Sequence, residues 1–223
     1  MLRKFQFAEG EFYHVYNRGV DKRIIFESVN DFNRFVKLLY IANGTSHFDF
    51  KGTDIVDVYS EDRGEQLVDI CSYCLMDNHF HLLLKEIKLG GISKFMKKLL
   101  TAYSMYFNTK NQRSGALFQG TYRAKHINTD VYLKHISLYI HLNALDKHEV
   151  NWKEKGILDR SKAGNFLEEY KYSSFPDYCG VKRKENKILS MDSAPKYYVS
   201  VTEMMNDIHD WMEITPELNK LTR

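Results

Sequence analysis

Apolar residues recur along the chain at two different spacings, and these predict strands alternating with helices. Short aromatic and β-branched runs predict five strands, at residues 12–16, 55–59, 67–75, 79–84 and 122–127. Apolar residues three or four apart predict three helices, at about residues 28–43, 91–103 and 129–143. The turn-forming pair Asp77-Asn78 predicts a tight hairpin between the third and fourth strands. This order favours an α/β sandwich built on a mainly antiparallel sheet.

Two histidines in the predicted fourth strand are separated by a single apolar residue. Residues two apart in a strand point to the same face, so His79 and His81 leave the sheet side by side while Phe80 faces the core. Imidazole nitrogens are common ligands of metal ions. The pair therefore supplies two donors of a metal site, which needs a third group from elsewhere in the chain.

A second polar group lies on the last predicted helix, where His135, Tyr139 and Asn143 are four residues apart and share one face. A tyrosine inside a helix is most often a packing residue. Here a polar side chain stands one turn on either side of it. The apolar packing of this helix is assigned to three other residues, Leu133, Ile136 and Ile140. We therefore predict that the face carrying Tyr139 is turned toward a polar cleft.

Composition and charge narrow the choice of function only slightly. The chain has 223 residues, of which 43% are hydrophobic, and this favours one main domain. Lys and Arg (32) nearly balance Asp and Glu (29), and the net charge of +3 is compatible with nucleic acid without indicating it. Cys71 and Cys74 have no second pair and Cys179 stands alone, so a zinc ribbon or disulfide framework is not predicted. No apolar run is long enough for a bilayer, so we expect a soluble, cytoplasmic protein without a membrane partner.

At these residues the chain resembles the single-tyrosine HUH transposases of bacterial insertion sequences, and among them the REP-associated tyrosine transposases. The histidine pair of the family matches His79-Phe80-His81, and its helical tyrosine with an amide four positions later matches Tyr139 and Asn143. Further segments resemble that subgroup in the same order: residues 13–19, 118–120 and 172–175, with Tyr178. Residues 52–64 and the stretch from about Met191 show no family pattern.

The resemblance implies a fold, a reaction and a partner. It implies a ferredoxin/RRM-like palm, with a catalytic domain at residues 1–148 and an extension at 149–223 that packs on the core or contacts DNA. Tyr139 would attack single-stranded DNA, in a hairpin or palindromic repeat, leaving a 5′-phosphotyrosine link and a free 3′-hydroxyl that can rejoin ends. His79, His81 and Asn143 would hold Mg²⁺ or Mn²⁺. A single catalytic tyrosine implies either a homodimer acting together or successive reactions at one site.

Basic and aromatic residues near these motifs are candidates for binding phosphates and bases of DNA. They are Arg18, Lys22, Arg23, Lys85, Arg113, Tyr122, Arg123 and Lys125. Taken singly, each of these charges is more typical of an ordinary solvated residue, so they form a candidate group. His135 is a weak candidate for the base that receives the proton of Tyr139.

Other classes of protein remain open at this point. A non-catalytic nucleic-acid-binding module predicts DNA binding without covalent attachment. A metal-dependent phosphodiesterase or nuclease that uses water leaves Tyr139 as scaffold, so Tyr139→Phe would still cut DNA. A structural protein with core histidines gives no reason for the histidine pair, the helical tyrosine and the amide to occur together.

Overall fold

A computed structural model describes residues 6–48, 57–149, 151–198, 200, 202–204 and 206–207. One sheet contains four strands: β1 (Phe12–Arg18), β2 (Val68–Met76), β3 (His79–Glu86) and β4 (Arg123–Ile127). Their order is β2-β3-β1-β4, and every pairing is antiparallel. Two helices connect the strands: α1 (Val29–Ile41) follows β1 and α2 (Gly91–Lys110) follows β3. This β-α-β-β-α-β order is ferredoxin-like, so the predicted antiparallel α/β sandwich is confirmed.

Each face of the sheet carries its own hydrophobic cluster, because side chains alternate along the strands. On one face, Phe80, Leu82 and Leu84 pack with the apolar sides of α1 and α2. On the other face, Leu83 packs with Ile140 of a third helix, α3 (Asp130–Leu142). The histidine pair alternates with the first group and therefore lies under α3.

The helices begin where polar groups satisfy their first backbone N–H groups. The side chain of Thr129 accepts a hydrogen bond of 3.2 Å from the backbone N–H of Tyr132, so α3 begins directly after Thr129. In α2 the cap comes from a strand, since the buried carboxylate of Glu86 accepts from the N–H groups of Gly90 and Ile92, both at 2.7 Å. In the described ranges, no helix has the length and apolar character of a membrane span.

The strand predicted at residues 55–59 is wrong in its described part. Val58–Ser60 forms a short 3-10 helix, and Val58 and Tyr59 are buried in the cluster that contains α1. An apolar run of this length is satisfied by burial alone and does not require pairing in a sheet. Residues 55–56 lie outside the described residues.

After α3, the described residues form α4 (Trp152–Lys155), α5 (Arg160–Glu169) and α6 (Phe175–Tyr178). Residues 172–174 pair with the outer edge of β2, where the N–H of Leu75 donates to the carbonyl of Tyr172 at 3.0 Å. An uncovered strand edge is free to pair with another chain, so this segment protects the edge. The sequence of residues 201–211 also looks helical, but this range lies largely outside the described residues; residues 202–204 and 206–207 are helical.

Candidate active site

His79 and His81 lie side by side on the face of the sheet that α3 covers. Their ring centres are 5.1 Å apart and their planes are nearly perpendicular, at 88°. In the neighbouring strand β1, Arg18 lies opposite His79 and Tyr16 lies opposite His81. Residues directly opposite in an antiparallel pair share a face. Arg18 and Tyr16 therefore border the histidine face, which is the name used below for this side of the sheet.

One ring nitrogen of each histidine is held by a neighbouring side chain. Nδ1 of His79 lies 2.6 Å from Oδ1 of Asn78, so it donates a proton to that oxygen. Nδ1 of His81 lies 2.8 Å from Nε2 of His14, a buried residue of β1. Such partners orient the imidazoles of metal sites. In both histidines, Nε2 is the nitrogen that is left to bind a cation.

These imidazoles are neutral at physiological pH because they are buried. Desolvation, together with the charge of Lys153, lowers the pKa of His79 to about 4. Desolvation and the charge of Lys125 lower the pKa of His14 to about 3. The pKa of His81 lies well below its usual value, chiefly through desolvation and then through the two neighbouring histidines. Metal ligation requires a neutral imidazole, so this environment suits a metal site.

Helix α3 brings Tyr139 and Asn143 to the histidine face. The ring of Tyr139 is edge-on to that of His81, with 5.7 Å between the ring centres. Asn143 follows the last turn of α3, is completely buried, and donates from Nδ2 to the backbone carbonyl of Tyr139 at 2.6 Å. This bond fixes the amide, and its Oδ1 accepts from Nζ of Lys153 at 3.2 Å, which leaves a second lone pair for another contact. Tyr139 itself is only 7% exposed, so its polar surroundings are the imidazoles rather than bulk solvent.

Two charged residues beyond α3 also reach this site, although no sequence pattern distinguishes them from their neighbours. Nζ of Lys153 lies 3.2 Å from Oδ1 of Asn143 and 2.9 Å from Oδ2 of Asp146. It also lies 5.6 Å from the ring centre of Tyr139. Nε1 of Trp152 donates to the other carboxylate oxygen of Asp146 at 2.6 Å, which anchors this segment. Helix α4 thus adds a cation beside the tyrosine.

The donor set of the site fits a divalent cation. Among the described residues, no three His, Cys, Asp or Glu side chains are grouped to hold a metal ion. The candidate ligands are instead Nε2 of His79, Nε2 of His81 and Oδ1 of Asn143, each oriented by a hydrogen bond at its other polar atom. Three protein donors leave coordination positions for water or phosphate, as such a cation requires.

Four of the predicted DNA-contacting residues share the histidine face. In register, Arg123 and Lys125 of β4 lie opposite Tyr16 and His14, and Lys85 lies opposite Phe12. Arg18 lies next to His79, and its Nε donates to Oε1 of Gln119 at 2.7 Å. Arg18, Arg123 and Lys125 therefore form a basic border beside the histidines, whereas Lys85 lies at the opposite end of this face.

The other predicted residues lie elsewhere. Lys22 and Arg23 follow β1, where the carbonyl of Lys22 accepts from Nδ2 of Asn78 at 3.1 Å. The ring of Tyr122 packs against the cluster on the opposite face, and Arg113 donates to Asn108 and to the carbonyl of Ala116.

His135 shares the helix with Tyr139, but the charges that act on it come from elsewhere. Desolvation and Lys134 lower its pKa, while Asp207 opposes this change. Lys134 and Asp207 form an ion pair with each other. The charge beside Tyr139 is a different one, that of Lys153.

Comparison with known proteins gives one family match. Residues 52–143 match the family model described as "Transposase IS200 like". The matched range is less than half of the chain, but it contains His79, His81, Tyr139 and Asn143, and the predicted resemblance to insertion-sequence transposases is confirmed. It also includes residues 52–64, for which the motifs alone indicated no resemblance.

Comparison with solved structures gives a similar protein at low sequence identity, and comparison with curated sequences gives none. A structure described as a REP-associated tyrosine transposase bound to a REP hairpin is similar, with a TM-score of 0.47 and 10% identity. The similarity covers 83% of this chain and 89% of that one. No curated protein sequence matches the chain.

Proposed function

We propose that this chain, which resembles the IS200-like transposases over residues 52–143, is an endonuclease and strand-transferase for single-stranded DNA with Tyr139 as its nucleophile. The proposal rests on one observation. The ring of Tyr139 contacts that of His81, with 5.7 Å between the ring centres, on the face that also carries His79. A water-using nuclease or a binding module gives no reason for a tyrosine to face the histidine pair.

The cation site supports attack on a phosphodiester. His79, His81 and Asn143 would hold Mg²⁺ or Mn²⁺, and imidazole ligands favour Mn²⁺ in affinity. When bound, the ion supplies positive charge to the non-bridging oxygens of the phosphate, where negative charge develops in the transition state. Neutral imidazoles and a fixed amide are the contribution of the protein to this site.

The reaction exchanges one phosphoester for another. The hydroxyl oxygen of Tyr139 forms a bond to phosphorus, its proton passes to water, and the bond to the 3′ oxygen of the neighbouring nucleotide breaks. That oxygen takes up a proton and leaves as a 3′-hydroxyl, while the 5′-phosphate stays on Tyr139. The reverse attack by a 3′-hydroxyl rejoins DNA without an external energy source. Lys153 adds a fixed positive charge beside the attacking group.

The DNA strand would approach along the basic border of the histidine face. We assign its phosphate contacts first to Arg18, Arg123 and Lys125, which share that face. The partly exposed ring of Tyr16 offers a stacking surface for a base. A hairpin or palindromic repeat is the substrate that the motif resemblance implies. Residues 1–148 would form the catalytic domain, and the extension at 149–223 would contribute Lys153.

Covalent trapping tests this function directly. Purified protein is incubated with a labelled pool of single-stranded hairpin oligonucleotides, with Mn²⁺ or with a chelator, and run on denaturing gels. We expect a metal-dependent protein–DNA adduct that Tyr139→Phe and His79→Ala abolish. Tyr106→Phe is the matched control, because Tyr106 lies on α2, on the opposite side of the sheet, and should leave the adduct intact.

Each alternative gives a different result on the same gel. Cutting without an adduct, retained in Tyr139→Phe, would support the water-using nuclease. Binding of hairpins without any cutting would support the binding module. Mixing Tyr139→Phe with His79→Ala protein adds a test of the homodimer, since restored adduct requires that two protomers share one active site.

A further inference from the structure

His14 is completely buried beside the proposed cation site and has no role in the reaction described above. Its Nε2 lies 2.8 Å from Nδ1 of His81, and the planes of the two rings differ by only 17°. The ring of Tyr16 stacks on it with 4.9 Å between centres, and the ring of Tyr139 meets it edge-on at 6.2 Å. His14 therefore lies within the wall of aromatic rings behind the site. Strand alternation would have placed it there, since Tyr13 and Val15 on either side face the opposite cluster.

We propose that His14 is a positioning residue for the cation site. It accepts a hydrogen bond from Nδ1–H of His81 and so keeps the lone pair of His81 on Nε2, where a cation binds. The inference rests on the proposed function, because it assigns His14 a role in the same metal site. It adds a residue from β1 to a site whose ligands come from β3 and from the end of α3.

The argument depends on where two protons lie. A neutral imidazole carries one ring proton, so only one of its nitrogens has a free lone pair. If His81 holds its proton on Nδ1 and donates it to His14, then Nε2 of His81 is free for a cation. If His14 donates instead, His81 must carry its own proton on Nε2, and that nitrogen has no lone pair for a cation. The same 2.8 Å contact thus has two forms, and only one of them is competent to bind metal.

The surroundings of the other ring nitrogen of His14, Nδ1, affect which of the two forms is favoured. In the competent form the proton of His14 lies on Nδ1, which is buried and has no hydrogen-bond partner among the described residues. Leaving a buried donor without an acceptor is unfavourable, so cation binding at His81 has to offset that effect. His79 differs, since its partner is the amide oxygen of Asn78, which only accepts. The tautomer of His81 is therefore the adjustable element of the site.

Substitutions at position 14 separate hydrogen bonding from packing. His14→Phe keeps an aromatic ring but removes the acceptor, whereas His14→Gln offers an amide oxygen to Nδ1–H of His81. His141→Phe is the matched control, because His141 is an equally buried histidine whose Nε2 pairs with Oγ of Ser174 at 2.8 Å, away from the ligands. Circular dichroism verifies the fold of each variant.

Binding of Mn²⁺, measured by isothermal titration calorimetry without DNA, is the first readout. Loss of a partner of this kind typically weakens metal binding by about 10- to 100-fold, and we expect this for His14→Phe. His14→Gln should recover part of the affinity, and His141→Phe should match the unmodified protein. Nitrogen-15 NMR of the histidines with Mg²⁺ is the second readout, and it should show the proton of His81 on Nδ1.

The outcomes distinguish the inference from the function on which it rests. If the unmodified protein binds Mn²⁺ through His79 and His81 while folded His14→Phe binds equally well, the inference is wrong and the proposed function stands. A proton on Nε2 of His81 in the Mg²⁺-loaded protein would also overturn it, whether or not the variants fold. If the unmodified protein binds neither ion, both the metal site and the role of His14 are refuted.

Discussion

Replacing Lys153 by methionine tests whether the ammonium group beside Tyr139 contributes to catalysis. Its Nζ lies 5.6 Å from the ring centre of Tyr139, and its side chain is 28% exposed. Two unit charges at this separation interact by about 3 kcal/mol at an effective dielectric constant of about 20, and by about 0.7 kcal/mol in water. The site lies between these limits, so we expect a loss of about 1–2 kcal/mol of transition-state stabilisation. This corresponds to roughly 5- to 30-fold slower attack.

The assay is the single-turnover rate of adduct formation at saturating DNA and Mn²⁺. Lys153→Met should lower this rate, and Lys153→Arg should retain most of it because the charge is kept. Lys155→Met provides the matched control, since Lys155 lies on the same short helix but is exposed. Its rate should equal that of the unmodified protein.

One competing explanation is that the substitution leaves the charge of the Asp146 carboxylate without its cationic partner, Nζ of Lys153 at 2.9 Å. The double variant Lys153→Met/Asp146→Asn removes both charges and tests this. If the double variant recovers the full rate, Lys153 serves to neutralise Asp146 and not to assist attack. If Lys153→Met alone reacts at the normal rate, the electrostatic reasoning is refuted.

Two predictions concern stability and are measured by urea unfolding. Glu86→Ala removes the buried carboxylate that accepts two N–H groups at the start of α2, so the free energy of unfolding should fall by about 2–4 kcal/mol. Glu65→Ala, at an exposed ion pair, should change it by under about 1 kcal/mol, and equal effects would contradict the assignment. Burial lowers the pKa of His14 and His141 to about 3 and that of His79 to about 4. The unfolded chain therefore binds more protons below pH 6.5, and each histidine should reduce stability by about 1.6 kcal/mol between pH 6.5 and 5. His141→Phe should make this acid dependence shallower, and an unchanged slope would refute the buried neutral state.

Much of the secondary structure follows from short-range patterns. The caps at Ser28 and Thr129 and the alternation along β3 depend on residues only a few positions apart, so they are legible in the sequence. The same local rule places His79 and His81 on one face before any neighbour is known. The strand predicted at residues 55–59 shows the limit of this reasoning. An apolar run indicates that the segment is buried, but it does not indicate whether the segment forms a strand or a helix.

The chain pattern by itself determined which side chains share a face, because that depends on backbone periodicity within one element. Tertiary structure alone decided which elements meet. The contact of His14 with His81 joins residues 67 positions apart and exists only because β1 lies next to β3 in the sheet. Lys153 reaches Asn143 because the chain folds back after α3, and no spacing of residues in the sequence predicts that change of direction. A site built across strands and a returning helix is set by packing, which acts between elements that the sequence places far apart.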